Sequence, residues 1–197
     1  YKTLYTISID ELKYRYIDHG MIILKILEET VTKKSFEELL HYYIIDKLHL
    51  ENTYIDLPKE KRKLFTGSPN INEGVCNDMK SVIFEESAGH AGIKACSNDL
   101  LILGKNLFTN NSFFSNINVK DMYLKSKISK KAKMSRGIMG NACTFGGSFI
   151  DKISPIKSTA FQGSTRTQLN IGLYNDIPII STILFNPASM GIERARE

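Results

Sequence analysis

Tyr16 and Asp18 stand two residues apart in Tyr14-Arg15-Tyr16-Ile17-Asp18-His19-Gly20, directly before the apolar run Met21-Ile22-Ile23-Leu24-Lys25-Ile26-Leu27. A phenol can donate or accept a hydrogen bond, and a carboxylate can orient a neighbour or cap the helix behind it. The pair reads as a compact polar site, with a packing tyrosine ahead of a helix as the structural alternative. His90 is the second residue of interest, set in Ala88-Gly89-His90-Ala91-Gly92-Ile93. Its two glycines permit a tight backbone path, so a hydrogen-bonded loop histidine competes with a base. Asp78 and Asp99 read as caps or turn formers. Lys94 and Arg166 are surface charges unless they border a cleft.

The elements that must position these groups follow from periodicity. Ser8 to Leu12 suggests a short capped helical turn leading into Tyr16. Apolar residues then recur at helical spacing at Ile22, Ile23, Ile26 and Leu27, and again at Phe36, Leu39 and Leu40. Thr32-Lys33-Lys34-Ser35 separates the two runs, and Ser35-Phe36-Glu37-Glu38 opens the second helix with a capping box. That helix runs through Ile44 to Leu48 and is left at Asn52-Thr53-Tyr54. Residues 57–86, rich in Lys, Asn, Gly and Pro, read as loop. Ser97 is the expected N-cap of a helix from Asp99 to Phe108, and a further helix is expected near 118–125.

From Gly137 the texture changes to β-branched and aromatic runs at 145–150, 159–171 and 177–185, with Leu173-Tyr174-Asn175-Asp176 joining the last two as a hairpin. The order is helices first and an antiparallel sheet after, an α+β arrangement. It divides into a mainly helical part, 1–135, and a strand part, 136–197.

The 197 residues suffice for a normal core, and 42% apolar with 24% charged residues argues against disorder. The net charge of +5 is spread thinly, with dense basic runs only at 59–63 and 125–133. No aromatic residues interleave those runs, which disfavours nucleic acid as a partner. Three cysteines and four histidines, scattered, have no zinc-ligand spacing, so neither a metal nor another cofactor is expected. The longest apolar run falls far short of a membrane span.

Several segments together resemble the serine β-lactamase and penicillin-binding-protein superfamily, in its class C-like esterase and D,D-peptidase branch. Tyr16-Ile17-Asp18 with Gly20 is similar to the family's Tyr-Ser-Asp or Tyr-x-Asn motif. Ser35 to Leu40 with Ile45 to Thr53 resembles the segment that ends in a PLGM-like turn. Gly74-Val75-Cys76-Asn77-Asp78, Ala88 to Ile93 and Ser97-Asn98-Asp99-Leu100 resemble the GxVHD…AGHAGLFSTAxDL stretch, the most specific match. Phe161-Gln162-Gly163-Ser164-Thr165-Arg166-Thr167 stands where the family has HTGxTGT on an edge strand, and Ile183 to Pro187 looks like the closing LLTN strand. Ile17 replaces a small residue, Phe161 replaces a Lys or His cation, and Arg166 replaces a glycine.

The resemblance implies acyl transfer by a serine at a helix N-terminus, with a lysine one turn later. Tyr16 would shuttle the proton, Asp18 would be its hydrogen-bonding neighbour, and the Ser164 amide would be an oxyanion donor. Gln162 and Gly163 would line the strand side of the cleft, with Thr165, Arg166 and His90 also facing substrate. Fifteen residues precede Tyr16 and contain no Ser-x-x-Lys. Ser154-Pro155-Ile156-Lys157 fits the letters but sits before a strand, and Thr30-Val31-Thr32-Lys33 lies at a helix end. The expectation is a chain corresponding to the C-terminal two-thirds of such an enzyme, with the nucleophile helix and first strands missing.

The implied reaction is hydrolysis of a D-alanyl peptide, β-lactam or ester. The alternative is a non-catalytic member that binds wall peptide or a protein, motivated by Phe161. Implied partners are a small-molecule or peptidoglycan-derived substrate and an N-terminal fragment of the same protein. The implied location is the bacterial envelope, periplasm or exterior.

Overall fold

The computed structural model describes residues 17–65, 74–85, 88–109, 141–143, 157–163, 167–174 and 177–184. The turn at Ser8–Leu12, the helix near 118–125 and the strand at 145–150 lie outside the described residues, as does Tyr16.

The helical pair forms as the capping signals predict. Helix α1, His19–Thr32, closes on Lys33 in the left-handed region, whose amide returns to the Glu29 carbonyl. Ser35 then caps α2, Phe36–Leu40: its hydroxyl accepts the Glu38 amide while the Glu38 side chain accepts the Ser35 amide. Glu29 ties the helices by accepting the Phe36 amide at 2.8 Å. The chain continues through a π-helical turn, His41–Ile45, into α3, Asp46–Leu48. His49, with φ 52°, ends it: the His49 amide reaches the Asp46 carbonyl and the Leu50 amide the Ile45 carbonyl, which satisfies two otherwise orphaned acceptors.

Burial on α1 departs from the periodic reading. Ile22 is buried, but Ile23 and Leu27 are about half exposed. The helical core sits instead on Leu40, Ile45, Leu48, Leu50 and Ile55, with Phe36, Ile44, Ile102 and Leu103 packed against it. Among the described residues α1 contributes none to that cluster, and a loop described below presses onto its first turns.

Residues 57–86 are not simply loop. They contain a 3-10 helix, Lys59–Leu64, and a short helix α4, Met79–Ile83. Strands β1, Thr53–Tyr54, and β2, Lys94–Ala95, pair antiparallel. Helix α5, Ser97–Thr109, begins two residues earlier than expected. Cys96 rather than Ser97 stands at its entrance, its sulfur accepting the Asp99 amide at 3.5 Å and its carbonyl the Leu100 amide. Asp99 is no cap. It is 2% exposed and takes the Asn52 amide and the Thr53 hydroxyl, each at 2.8 Å, which fastens α5 to the start of β1.

A meander of four antiparallel strands follows: β3, Asn141–Cys143; β4, Lys157–Gln162; β5, Gln168–Tyr174; β6, Ile177–Ile183. The run read as one strand over 159–171 is thus a hairpin, closed by the Gly163 amide on the Thr167 carbonyl. The β5–β6 hairpin stands where expected, with Tyr174 opposite Ile177. Among the described strands β4 is not an edge, since β3 pairs with Ser158 to Ala160. Phe161 and Gln162 continue past the described part of β3 and pair with Leu169 and Gln168 of β5.

α5 covers this sheet. A Cβ on Gly104 would lie 2.9 Å from Cγ2 of Ile180 and 3.6 Å from Ile171, so glycine permits the close approach. No described helix is long and apolar enough to cross a membrane.

Candidate functional site

Asp18 stands at the entrance of α1, where its backbone carbonyl accepts the amides of Met21 (3.0 Å) and Ile22 (3.2 Å). Its side chain does not cap the helix. The carboxylate turns away and accepts a 2.7 Å hydrogen bond from the Lys80 ammonium on α4, 62 residues on. That bond and the Asp18 charge hold the Lys80 ammonium above the ordinary lysine value.

α4 is itself started by Asp78, whose Oδ1 accepts the Ser81 amide at 3.0 Å. The same oxygen lies 3.0 Å from Nε2 of His90. Ser81, fully buried, donates its hydroxyl to the Ala91 carbonyl at 3.0 Å. The Gly89–Gly92 loop is therefore bound to α4 twice. It also presses on α1: Gly89 has φ +84°, and a Cβ there would sit 2.9 Å from Cβ of Lys25 and 3.0 Å from the Met21 carbonyl. Only glycine fits that crossing without strain.

The His90 side chain is 8% exposed, and its Nδ1 has no hydrogen-bond partner. The Asp78 carboxylate oxygen accepts, so Nε2 is the donor of that bond. His90 is thus a bonded loop residue, and it also lines an open depression of about 230 Å³ with Phe36, Gly89, Ala91, Gly92 and Ile93.

Asp18, Asp78 and His90 bring ligand-type atoms within 4.8 Å of one another. The cation among them is Lys80, and Asp78 Oδ1 is already engaged by an amide and a ring nitrogen, so the donor set is that of an ion-pair network.

Of the residues expected to act, Asp18 and His90 meet in this cluster through Asp78. Gly163 lies at the end of β4, exposed, with its amide committed to Thr167. Gln162 pairs with Gln168 in the strand register. Tyr16, Ser164, Thr165 and Arg166 lie outside the described residues. Lys80 was missed because residues 57–86 read as loop. Asp78-Met79-Lys80-Ser81 carried the signal: an aspartate whose carboxylate reaches the amide three residues on starts a helix and sends the intervening lysine outward.

A helical part with a polar cluster at the entrance of α1, followed by an antiparallel sheet backed by α5, defines an α+β fold. The family model described as Beta-lactamase matches residues 11–190, and the chain belongs to that family. Among solved structures it is similar to a class C β-lactamase mutant carrying a tyrosine-to-phenylalanine substitution, at 16% identity and a TM-score of 0.57. That likeness covers 84% of this chain and 51% of the other, so the chain spans about half the length of the structure it matches. No curated protein matches it.

Proposed function

We propose that this chain is part of a β-lactamase-like serine hydrolase, contributing the proton-handling tyrosine and the strand side of an acyl pocket. The carrying observation is the family match over residues 11–190, which takes in the Tyr16-Ile17-Asp18 motif, with Asp18 anchored at the entrance of α1. In this reading a serine from a Ser-x-x-Lys helix outside these residues attacks the carbonyl of a D-alanyl peptide, β-lactam or ester. Tyr16 passes the proton from that serine to the leaving group, and water then releases the acyl group. The Ser164 amide stabilises the oxyanion, while Gln162, Gly163, Thr165 and Arg166 border the substrate.

The test uses the protein expressed from its whole reading frame. Labelling by a fluorescent penicillin or turnover of a chromogenic ester is expected, and Tyr16→Phe should lower turnover by about a hundredfold or more. Full activity in that variant, or neither acylation nor turnover in the wild type, rejects the reading.

The second reading is a member that binds wall peptide or a protein without turnover. Phe161 favours it, because an apolar ring stands at the position of the family's strand cation. Saturable binding of a muropeptide without hydrolysis is its expected signature.

A further inference from the structure

α1 carries its apolar residues on the side away from its own neighbours. At 3.6 residues per turn, Gly20, Ile23, Leu24, Leu27 and Val31 fall within about 100° of one another. The last four are 46%, 47%, 54% and 72% exposed. The opposite side holds buried Ile22 together with Lys25 and Glu29, whose side chains are 12% and 30% exposed and pair at 3.3 Å. There the Gly89 loop crosses Met21 and Lys25, and Glu29 takes the Phe36 amide. A surface helix of a finished fold does the reverse, with its apolar stripe inward and its ion pair outward. Gly20 points the same way. Glycine weakens a helix relative to alanine. Yet a Cβ at this position would meet nothing within 4 Å, and its φ is not in the left-handed region. The position is open to a backbone arriving from outside.

Leu24, Leu27 and Val31 stand at i, i+3 and i+7, the spacing of a seam that a second helix fills at a shallow crossing angle. No charged residue interrupts the stripe, so the face that meets it is apolar too. The likeness to the class C β-lactamase covers 84% of this chain but 51% of the other, so a fold of that kind holds about as much chain again. We propose that the Gly20–Ile23–Leu24–Leu27–Val31 face of α1 is the seat of an apolar helix from that remainder, carried in the same polypeptide. A second copy is the weaker occupant. Four side chains on a 14-residue helix, about 21 Å long, offer little towards the roughly 1,200 Å² that a stable pairing of two copies needs. A helix of the same polypeptide escapes that requirement, because the connection supplies a high effective concentration. The proposal rests on the family match and not on turnover by the candidate site.

The experiment uses the protein expressed from its whole reading frame. Hydroxyl-radical footprinting first compares side-chain oxidation of Leu24 and Leu27 in the native and urea-unfolded wild type. A face left free predicts native labelling of Leu27 near half the unfolded rate, in line with its 54% exposure. A seated helix predicts less than about a tenth, as at a packed interface core. Thermal melts then compare wild type with Leu27→Lys. The variant should melt about 5 °C or more below wild type, because a lysine would stand unpaired between packed helices. On a free face the same change shifts melting by less than about 2 °C. Should Leu27→Lys fail to fold, Leu27→Ala supplies the melt, with a fall of several degrees expected.

Sedimentation of the wild type across a dilution series completes the test. Protection of Leu24 and Leu27 in a monomer, with the lowered melt, supports the proposal. Labelling near half the unfolded rate, or an unchanged melt, overturns it. Protection that disappears on dilution, as a dimer gives way to monomer, also overturns it and assigns the face to a second copy. None of these readings uses activity, so a wild type without turnover rejects the hydrolase reading and leaves this test standing.

Discussion

Asp78 accepts two hydrogen bonds on one oxygen, and its titration follows from that. Burial pushes its carboxyl up, but the Ser81 amide, the His90 ring and the Lys80 charge together hold it below its ordinary value. A depressed folded-state value stabilises the fold above about pH 3.9, the ordinary aspartate value, and that contribution is lost as pH falls through the lower folded-state value. Asp78→Asn keeps a cap acceptor and removes the charge. Its melting temperature should fall at neutral pH, and its further decline below about pH 4 should be shallower than that of wild type. Thermal melts across a pH series read both effects; parallel curves for the two proteins would remove Asp78 from the acid response. At this scale the chemistry-bearing residue types were visible in the chain, but their pairings were not. Nothing local tells Asp18 to leave its own helix for an ammonium 62 residues away.

At the scale of elements, helix ends were the most legible feature. The Ser35–Glu38 box is a local interaction, complete within four residues, and it formed as its letters suggest. The strand run over 159–171 was misread because β-branched residues on both sides of Gly163 conceal a turn set by one hydrogen bond to Thr167. α5 supplies the sharpest element-level expectation. Alanine normally stabilises a helix by about 1 kcal/mol over glycine. At Gly104 the added methyl would meet the Cγ2 of Ile180 at 2.9 Å, on a β-branched side chain with little rotamer freedom. Gly104→Ala should therefore destabilise by about 1–3 kcal/mol, as overpacking does. Denaturant unfolding measures it, and a gain in stability would show that the sheet can move away from α5.

Across the whole molecule α5 joins the two parts. Asp99 fastens its start to β1, and its Gly104 face lies on β5 and β6. The opposite side of the sheet's end strand is another matter. Among the described residues β6 pairs only with β5, and Ile177, Ile179 and Ile183 are exposed at 63%, 38% and 44%. An apolar strand with an unpaired edge recruits further strands, and charge on it opposes that. Ile179→Lys should reduce concentration-dependent association of this chain, read by light scattering, while leaving its circular dichroism unchanged. Equal association in both proteins would place the sticky surface elsewhere.

The letters alone determined the helix pair, its capping box, the final hairpin and the family pattern, because each rests on contacts within a few residues or on motif order. Tertiary structure decided which carboxylate meets which cation, that α1 leaves Ile23 and Leu27 half exposed, and that Asp99 is a buried tether rather than a cap. Those outcomes depend on chain segments that approach only after folding, where a buried or charged group takes the partner that the packed backbone presents.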